Sequence, residues 1–246
     1  MLKKIIIAVI VVACAAMSMV EPIGQDLAYH QFADQRAWGF VPNAWNVLSN
    51  LGFLLVGLMG LWQLHVTRRL NILPAIKRHY SIFLLGVTLV AFGSGYYHWQ
   101  PDNQTLIWDR LPITLAFMAL LTVVFAEFLS VDWARYGLWP LLLLGLLSVV
   151  YWYGFGDLRP YVLVQFLPMI LMLILFTFGH KAFAQNSGYW WLFAAYVGAK
   201  LFEHFDHVIF YATGGMMAGH AMKHIFAALG LYALLRCFEK RRSLHY

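Results

Sequence analysis

Long apolar runs alternate with short polar stretches along almost the whole chain. Eight of these runs approach or reach the ~20 residues that a helix needs to cross a bilayer. They cover residues 5–20, 44–66, 80–99, 105–129, 136–154, 161–179, 189–211 and 217–237. The pattern predicts an all-α integral membrane protein, in which a bundle of seven transmembrane helices follows an extra N-terminal hydrophobic segment.

The order of the runs predicts four regions. Residues 1–21 are expected to be a membrane anchor or a signal-like segment, because a charged start, an apolar stretch and small residues fit both. Residues 22–43 would be an external segment and residues 44–238 the seven-helix domain. Residues 239–246 would form a basic cytoplasmic tail.

The placement of charge gives the expected orientation. With 62% hydrophobic and 11% charged residues, the composition favours lipid as the solvent, but a net charge of +6 could also suggest nucleic acid. The basic residues, however, gather on one face of the predicted bundle, and the opposite face holds only Arg36 and Arg159. This asymmetry follows the positive-inside rule, so we expect a cytoplasmic C-terminus and no nucleic-acid partner. The basic face carries Arg68, Arg69, Lys77, Arg78, Arg135, Lys181, Lys240, Arg241 and Arg242.

Five polar side chains fall at one predicted depth, near the non-cytoplasmic surface. Ser94 and His98 are four residues apart at the end of one helix, and His220 and His224 have the same spacing at the start of the last. Residues four apart share one side of a helix. Asp109 lies about one turn into the helix that follows His98. Because ionisable residues in a membrane are costly, we expect these five to form a functional site.

These residue types are the ingredients of a catalytic zinc site. Three histidines leave a fourth coordination position for water, and zinc lowers the pKa of that water to about 7. A nearby carboxylate can act as its general base, and a hydroxyl can donate to a developing oxyanion. Paired histidines in membrane helices can also bind haem, an interpretation that leaves Ser94 and Asp109 without a role.

At these positions the chain resembles the alkaline ceramidase family. The segment "SGYYH", Asp109 and the segment "HAMKH" follow the family's S-x-x-x-H, D and H-x-x-x-H order, with its eleven-residue step from His98 to Asp109. The stretch "AWNVLSN" at 44–50 is similar to the motif of the family's first helix. Adiponectin-receptor-like proteins and the Per1-type proteins of lipid-anchor remodelling belong to the same superfamily.

The resemblance implies a zinc-dependent membrane amidohydrolase that splits ceramide-like lipids into a fatty acid and a sphingoid or other lipid amine. His98, His220 and His224 would bind zinc, Asp109 would activate the water, and Ser94 would hold the oxyanion. The lipid substrate would come from the bilayer. Two alternatives stay open: a receptor of the adiponectin-receptor type with a metal core, and a haem-binding electron carrier.

Two other polar stretches bear on the prediction. Eukaryotic ceramidases carry an acidic calcium site before the first helix, but residues 32–43 contain only Asp34 as a carboxylate and Asn43 at the family's glutamate position. This argues against a calcium site. Lys200, Glu203 and Asp206 share one face of the sixth helix, where they would form an ion pair, support the metal ligands or bind the substrate's polar head. Packing or interfacial roles are expected for His30, His65, His79, His180 and His245.

Overall fold

A computed structural model describes residues 1–244 and shows an all-helical chain. The last two residues of the predicted tail lie outside the described residues, and with them the expectation for His245. Two short 3-10 turns and one pair of two-residue strands complete the described part of the chain. The α-helices are α1 Leu2–Ser18, α2 Ala44–Leu48, α3 Leu51–His65, α4 Lys77–Trp99, α5 Asn103–Phe128, α6 Val131–Phe155, α7 Arg159–Phe178, α8 Ser187–His204, α9 Asp206–Ala212 and α10 Gly219–Lys240.

The apolar runs predicted where helices form, but two runs are interrupted. The first core run breaks between α2 and α3, and the sixth breaks at Phe205 between α8 and α9. In the described chain, six helical segments are long and apolar enough to cross a membrane. α1 and α8 fall outside that set, and α8 carries the polar residues Lys200 and Glu203 near its end. The six segments are Ala44–His65, Pro74–Trp99, Asn103–Phe128, Val131–Phe155, Arg159–Phe178 and Gly219–Lys240.

Close helix contacts converge on the end of the bundle at which α4 ends and α5 begins, here called the site end. A Cβ on Gly93 of α4 would lie 2.0 Å from the carbonyl oxygen of Trp108 in α5. A Cβ on Gly219 of α10 would lie 2.2 Å from the carbonyl oxygen of Phe202 in α8. Glycine at both positions therefore lets these two pairs of helices approach each other where the polar side chains sit.

The segment of residues 22–43 folds over the site end and is here called the cap segment. α1 packs along α7 and delivers the chain to this end. The backbone N–H of Leu158 donates to the carbonyl of Ile23 at 2.8 Å, and Arg159 donates to the carbonyl of Val20 at 2.7 Å. The expected external segment is therefore fixed to the bundle by hydrogen bonds.

The opposite end of the bundle is held by a buried ion pair, the Glu127–Arg241 clasp. The guanidinium of Arg241 meets both carboxylate oxygens of Glu127, at 2.6 and 2.7 Å. The hydroxyls of Tyr80 and Tyr189 also donate to this carboxylate. Arg241, counted above among the basic residues of the tail, is thus fully buried and joins the end of α10 to α5.

Candidate metal centre

Three histidines from two helices meet at the site end. His98 is on the last turn of α4, and His220 and His224 are on the first two turns of α10. All three are buried, and their candidate ligand nitrogens lie within 4.8 Å of one another. The Nε2 atoms of His98 and His220 are 3.4 Å apart. This geometry can hold a metal ion, and the three nitrogens would leave a coordination position open on it.

The other ring nitrogens support that interpretation. Nδ1 of His224 is 2.8 Å from the hydroxyl of Ser49, which leaves its Nε2 free to face the other two rings. Such a hydrogen bond on the far nitrogen is typical of metal-binding histidine. Nδ1 of His98 is buried without a hydrogen-bond partner among the described residues, so this ring is incompletely satisfied by the protein alone. The donor set therefore fits a bound metal ion.

Asp206 positions the loop and helix around His220. Its Oδ1 accepts from the backbone N–H of His220 at 2.6 Å, and its Oδ2 accepts from the backbone N–H of Ala33 at 2.9 Å. The carboxylate thus satisfies an open N–H at the start of α10, where a negative charge is favourable. It links α9 to both the metal centre and the cap segment.

Asp109 and Ser94 lie beside the histidines but not among the candidate ligands. The hydroxyl of Ser94 contacts the carboxylate of Asp109, and both side chains are buried. Both line the same cavity as His224. The structure therefore brings all five predicted side chains together at one end of the bundle.

Aromatic side chains of the cap segment cover the centre. The ring of Phe32 lies 4.8 Å from that of His98 and 4.5 Å from that of His220, centroid to centroid. The hydroxyl of Tyr29 donates to Glu203 at 3.1 Å. Burial, followed by the nearby Glu203 carboxylate, raises the pKa of the Tyr29 phenol well above its usual range, so it remains a donor. Neither aromatic residue carries a spacing signal, so the sequence does not identify them.

Lys200, Glu203 and Asp206, predicted to share one helix face, make two separate sets of contacts in the structure. The carboxylate of Glu203 is held between Lys200 at 2.7 Å and Lys223 at 2.6 Å. Asp206 points away from this pair towards His220, because the chain turns at Phe205. Lys223, which stands inside the "HAMKH" segment, joins α10 to α8 through Glu203.

A large cavity extends from the metal centre into the bundle. Its volume is about 950 Å³, and it is lined mainly by residues of α4, α5, α7, α8 and α10. Ser94, Asp109, His224 and Glu203 line its site end. Its far part is apolar and is lined by residues that include Phe83, Val87, Met172, Phe176 and Leu231.

The stretch that corresponds to the calcium site of eukaryotic ceramidases is closed by an ion pair. Arg36 donates to both carboxylate oxygens of Asp34, at 2.8 and 2.7 Å. Burial opposes ionisation of Asp34, but these hydrogen bonds prevail and hold the pKa of its carboxyl below the usual value. The side-chain amide of Asn43 donates to the carbonyl of His98 at 2.9 Å. The only carboxylate of the stretch is therefore held in an ion pair with Arg36.

Comparison with protein families gives a match to the ceramidase family over residues 37–187, more than half of the chain. The matched range contains Ser94, His98 and Asp109. His220 and His224 lie beyond the matched range, and the packing of α10 in the bundle brings them close to His98. None of the curated proteins matches the chain.

Proposed function

The chain belongs to the ceramidase family, and we propose that it is a zinc-dependent membrane enzyme that cleaves the N-acyl amide of ceramide-like lipids. The products would be a fatty acid and a sphingoid or other lipid amine. One observation carries the proposal. Three buried histidines, a carboxylate and a hydroxyl meet at the end of an apolar cavity large enough for a lipid chain.

In this proposal His98, His220 and His224 hold the zinc ion, which supplies a Lewis acid for the amide carbonyl and makes a water molecule acidic. Asp109 accepts the proton of the attacking water and returns it to the leaving amine. Ser94 donates a hydrogen bond to the oxyanion that develops on the carbonyl oxygen. The contact between Ser94 and Asp109 keeps the base and the donor on one side of the site.

The surroundings suit an amphiphilic substrate. The acyl chain would occupy the apolar part of the cavity, and the amide would reach the polar end. Phe32 covers the histidines and limits access of bulk water. Phe166 and Lys200 line the cavity where α7 and α8 diverge and are partly exposed, which supports entry of the lipid sideways from the bilayer.

The two alternatives explain less of the site. A haem between two histidines needs a flat macrocycle between their rings, whereas the rings of His98 and His220 are in edge contact, with centroids 4.8 Å apart. A receptor with a structural metal assigns no function to Asp109 or to the cavity beside it. The hydrolase explains the histidines, the carboxylate and the cavity together.

We further propose seven membrane spans, with α8 as the sixth, and α1 as an additional N-terminal anchor. α8 packs along α10 for most of its length and extends beside the six apolar segments. The site end would face the non-cytoplasmic side, because the loops at the opposite end carry most of the basic residues.

The test is amide hydrolysis by detergent-purified protein on a panel of N-acyl lipids, with released acids and amines identified by mass spectrometry. Asp109→Asn should retain zinc and lose about 10²- to 10⁴-fold in rate, because asparagine cannot accept the proton. His98→Ala should lose the metal itself. Full turnover in Asp109→Asn with zinc bound would remove Asp109 from the mechanism.

A further inference from the structure

A buried arginine in the cavity wall has no anionic partner among the described residues. Arg110 follows Asp109 on α5, lines the cavity and is 6% exposed. Its Nη2 donates to the side-chain oxygen of Gln25 at 2.6 Å, and its Nη1 is buried without a hydrogen-bond partner. Within residues 1–244, no carboxylate forms an ion pair with its guanidinium.

Its neighbours stabilise the positive charge only in part. The guanidinium carbon lies 4.0 Å from the ring centroid of Trp152 in α6 and 4.6 Å from that of Tyr161 in α7. Contacts of this kind are weak beside the cost of removing a full charge from water. Buried charges in proteins are normally paired with an opposite charge. The geometry therefore leaves a place for an anion at Arg110.

Neither carboxylate of the cavity interior, Glu203 or Asp109, forms an ion pair with Arg110. Glu203 is shared by Lys200 and Lys223, so it has no free charge to offer. Five charged side chains of the cavity wall are buried or half-buried. They are the cations Arg110, Lys200 and Lys223 and the carboxylates Asp109 and Glu203. Asp26, the remaining charged residue of the wall, is exposed at the rim and caps a 3-10 turn of the cap segment. The interior thus carries one positive charge in excess.

The position of Arg110 in the cavity indicates which half of the substrate its guanidinium would contact. The far part of the cavity is apolar and suits the acyl chain, whereas Arg110, Gln25 and Tyr161 line the polar end. We propose that Arg110 binds an oxyanion, a carboxylate or a sulfonate, on the amine half of the N-acyl lipid. This inference rests on the proposed function, because it names the class of lipid that the same site would cleave.

The first test measures binding without hydrolysis. Detergent-purified protein is titrated with single-chain amphiphiles of one length that carry a sulfonate, a carboxylate or a hydroxyl, and tryptophan fluorescence is followed because Trp152 stacks on Arg110. The anionic amphiphiles should bind about 10- to 100-fold more tightly than the alcohol, as expected for a charged hydrogen bond. Equal affinities would overturn the inference.

Variants separate Arg110 from other cations. Arg110→Gln should reduce the affinity for the sulfonate to that for the alcohol, and Arg110→Lys should retain part of the preference. Arg159→Gln removes a cation from the same end outside the cavity wall and should keep the full preference. A sulfonate preference that survives in Arg110→Gln but disappears in His98→Ala would assign the anion to the metal and overturn the inference. Binding of the alcohol checks that each variant is folded.

The second test compares hydrolysis of an N-acyl aminoethanesulfonate, an N-acylglycine and an N-acylethanolamine with the same acyl chain. Wild-type kcat/KM should favour the two anionic amides, and the ratio should fall to about one in Arg110→Gln. Equal kcat/KM values in the wild type would overturn the anion site and leave the amidase proposal intact. Anion-selective binding without hydrolysis of any amide would support the anion site and overturn the amidase proposal.

Discussion

At the scale of single residues, the metal centre depends on partners that the chain supplies from distant positions. Ser49, at the break between α2 and α3, contacts Nδ1 of His224 across 175 positions of sequence. The bond fixes the ring orientation and thereby the direction of its other nitrogen. Ser49 is buried at 9% exposure, so water cannot easily replace it.

Removal of this bond should weaken metal binding without removing a ligand. Ser49→Ala is expected to lower zinc affinity about 10- to 100-fold, as is usual for the partner of a metal-binding histidine. Competition with a chelating indicator on purified protein measures the change. Ser81→Ala is the matched control, since Ser81 contacts His65 at the opposite end of the bundle. Equal zinc affinities in the two variants would contradict the role of Ser49.

The sequence predicted the residues whose positions depend on local spacing. Ser94 with His98, and His220 with His224, share a helix face because one turn of helix brings residues four apart together. Phe32, Ser49 and Arg110 were not identified, because their roles depend on contacts between distant segments. Nothing in the sequence around Arg110 distinguishes it from an arginine that forms an ion pair with a carboxylate.

At the scale of helices, the apolar runs gave the element type and the structure gave their ends. The run at 189–211 is continuous in sequence, yet the helix breaks at Phe205 and turns Asp206 towards His220. No glycine or proline marks this break, and Asp206 just after it accepts a hydrogen bond from the backbone N–H of His220 in α10. Gly86 and Gly93 of α4 similarly matter because α5 packs closely against them.

Two glycines on the last part of α4 test this packing directly. Gly93→Ala should destabilise the protein by about 1–3 kcal/mol, because the new methyl would overlap the carbonyl of Trp108. Gly95→Ala has nothing within 4 Å of its new methyl. It should leave stability equal or raise it by up to ~1 kcal/mol, because alanine favours helix. Thermal midpoints in detergent that do not differ between the two variants would refute the close contact.

At the scale of the whole molecule, the two ends of the bundle carry different sets of polar residues. The site end holds the histidines, the cap segment and the polar end of the cavity. The opposite end holds the basic loops and the Glu127–Arg241 clasp, whose two side chains are completely buried. The basic loops from which the orientation is predicted and the histidine site are thus at opposite ends of one bundle.

The orientation can be measured with fused reporters. A reporter fused to the C-terminus should be active only if it functions in the cytoplasm, because the basic loops lie at the same end. A reporter inserted in the 100–104 loop, beside the site, should show the opposite behaviour. An external C-terminus would place the site on the cytoplasmic side and refute the proposed sidedness.

The clasp should contribute strongly to stability. Arg241→Ala leaves the Glu127 carboxylate buried without its cation and should cost about 3–5 kcal/mol. Arg242→Ala removes a neighbouring exposed cation and should change stability by less than about 0.5 kcal/mol. Thermal unfolding in detergent compares the two. A similar midpoint for both variants would show that the pair is not a stabilising element.

The clasp also has a consequence for synthesis of the chain. Glu127 is translated 114 residues before its partner Arg241. At ~5–20 residues per second, its carboxylate waits on the order of ten seconds for the cation that neutralises it. A nascent chain that stops short of residue 241 would therefore lack the guanidinium that binds both oxygens of this side chain on α5.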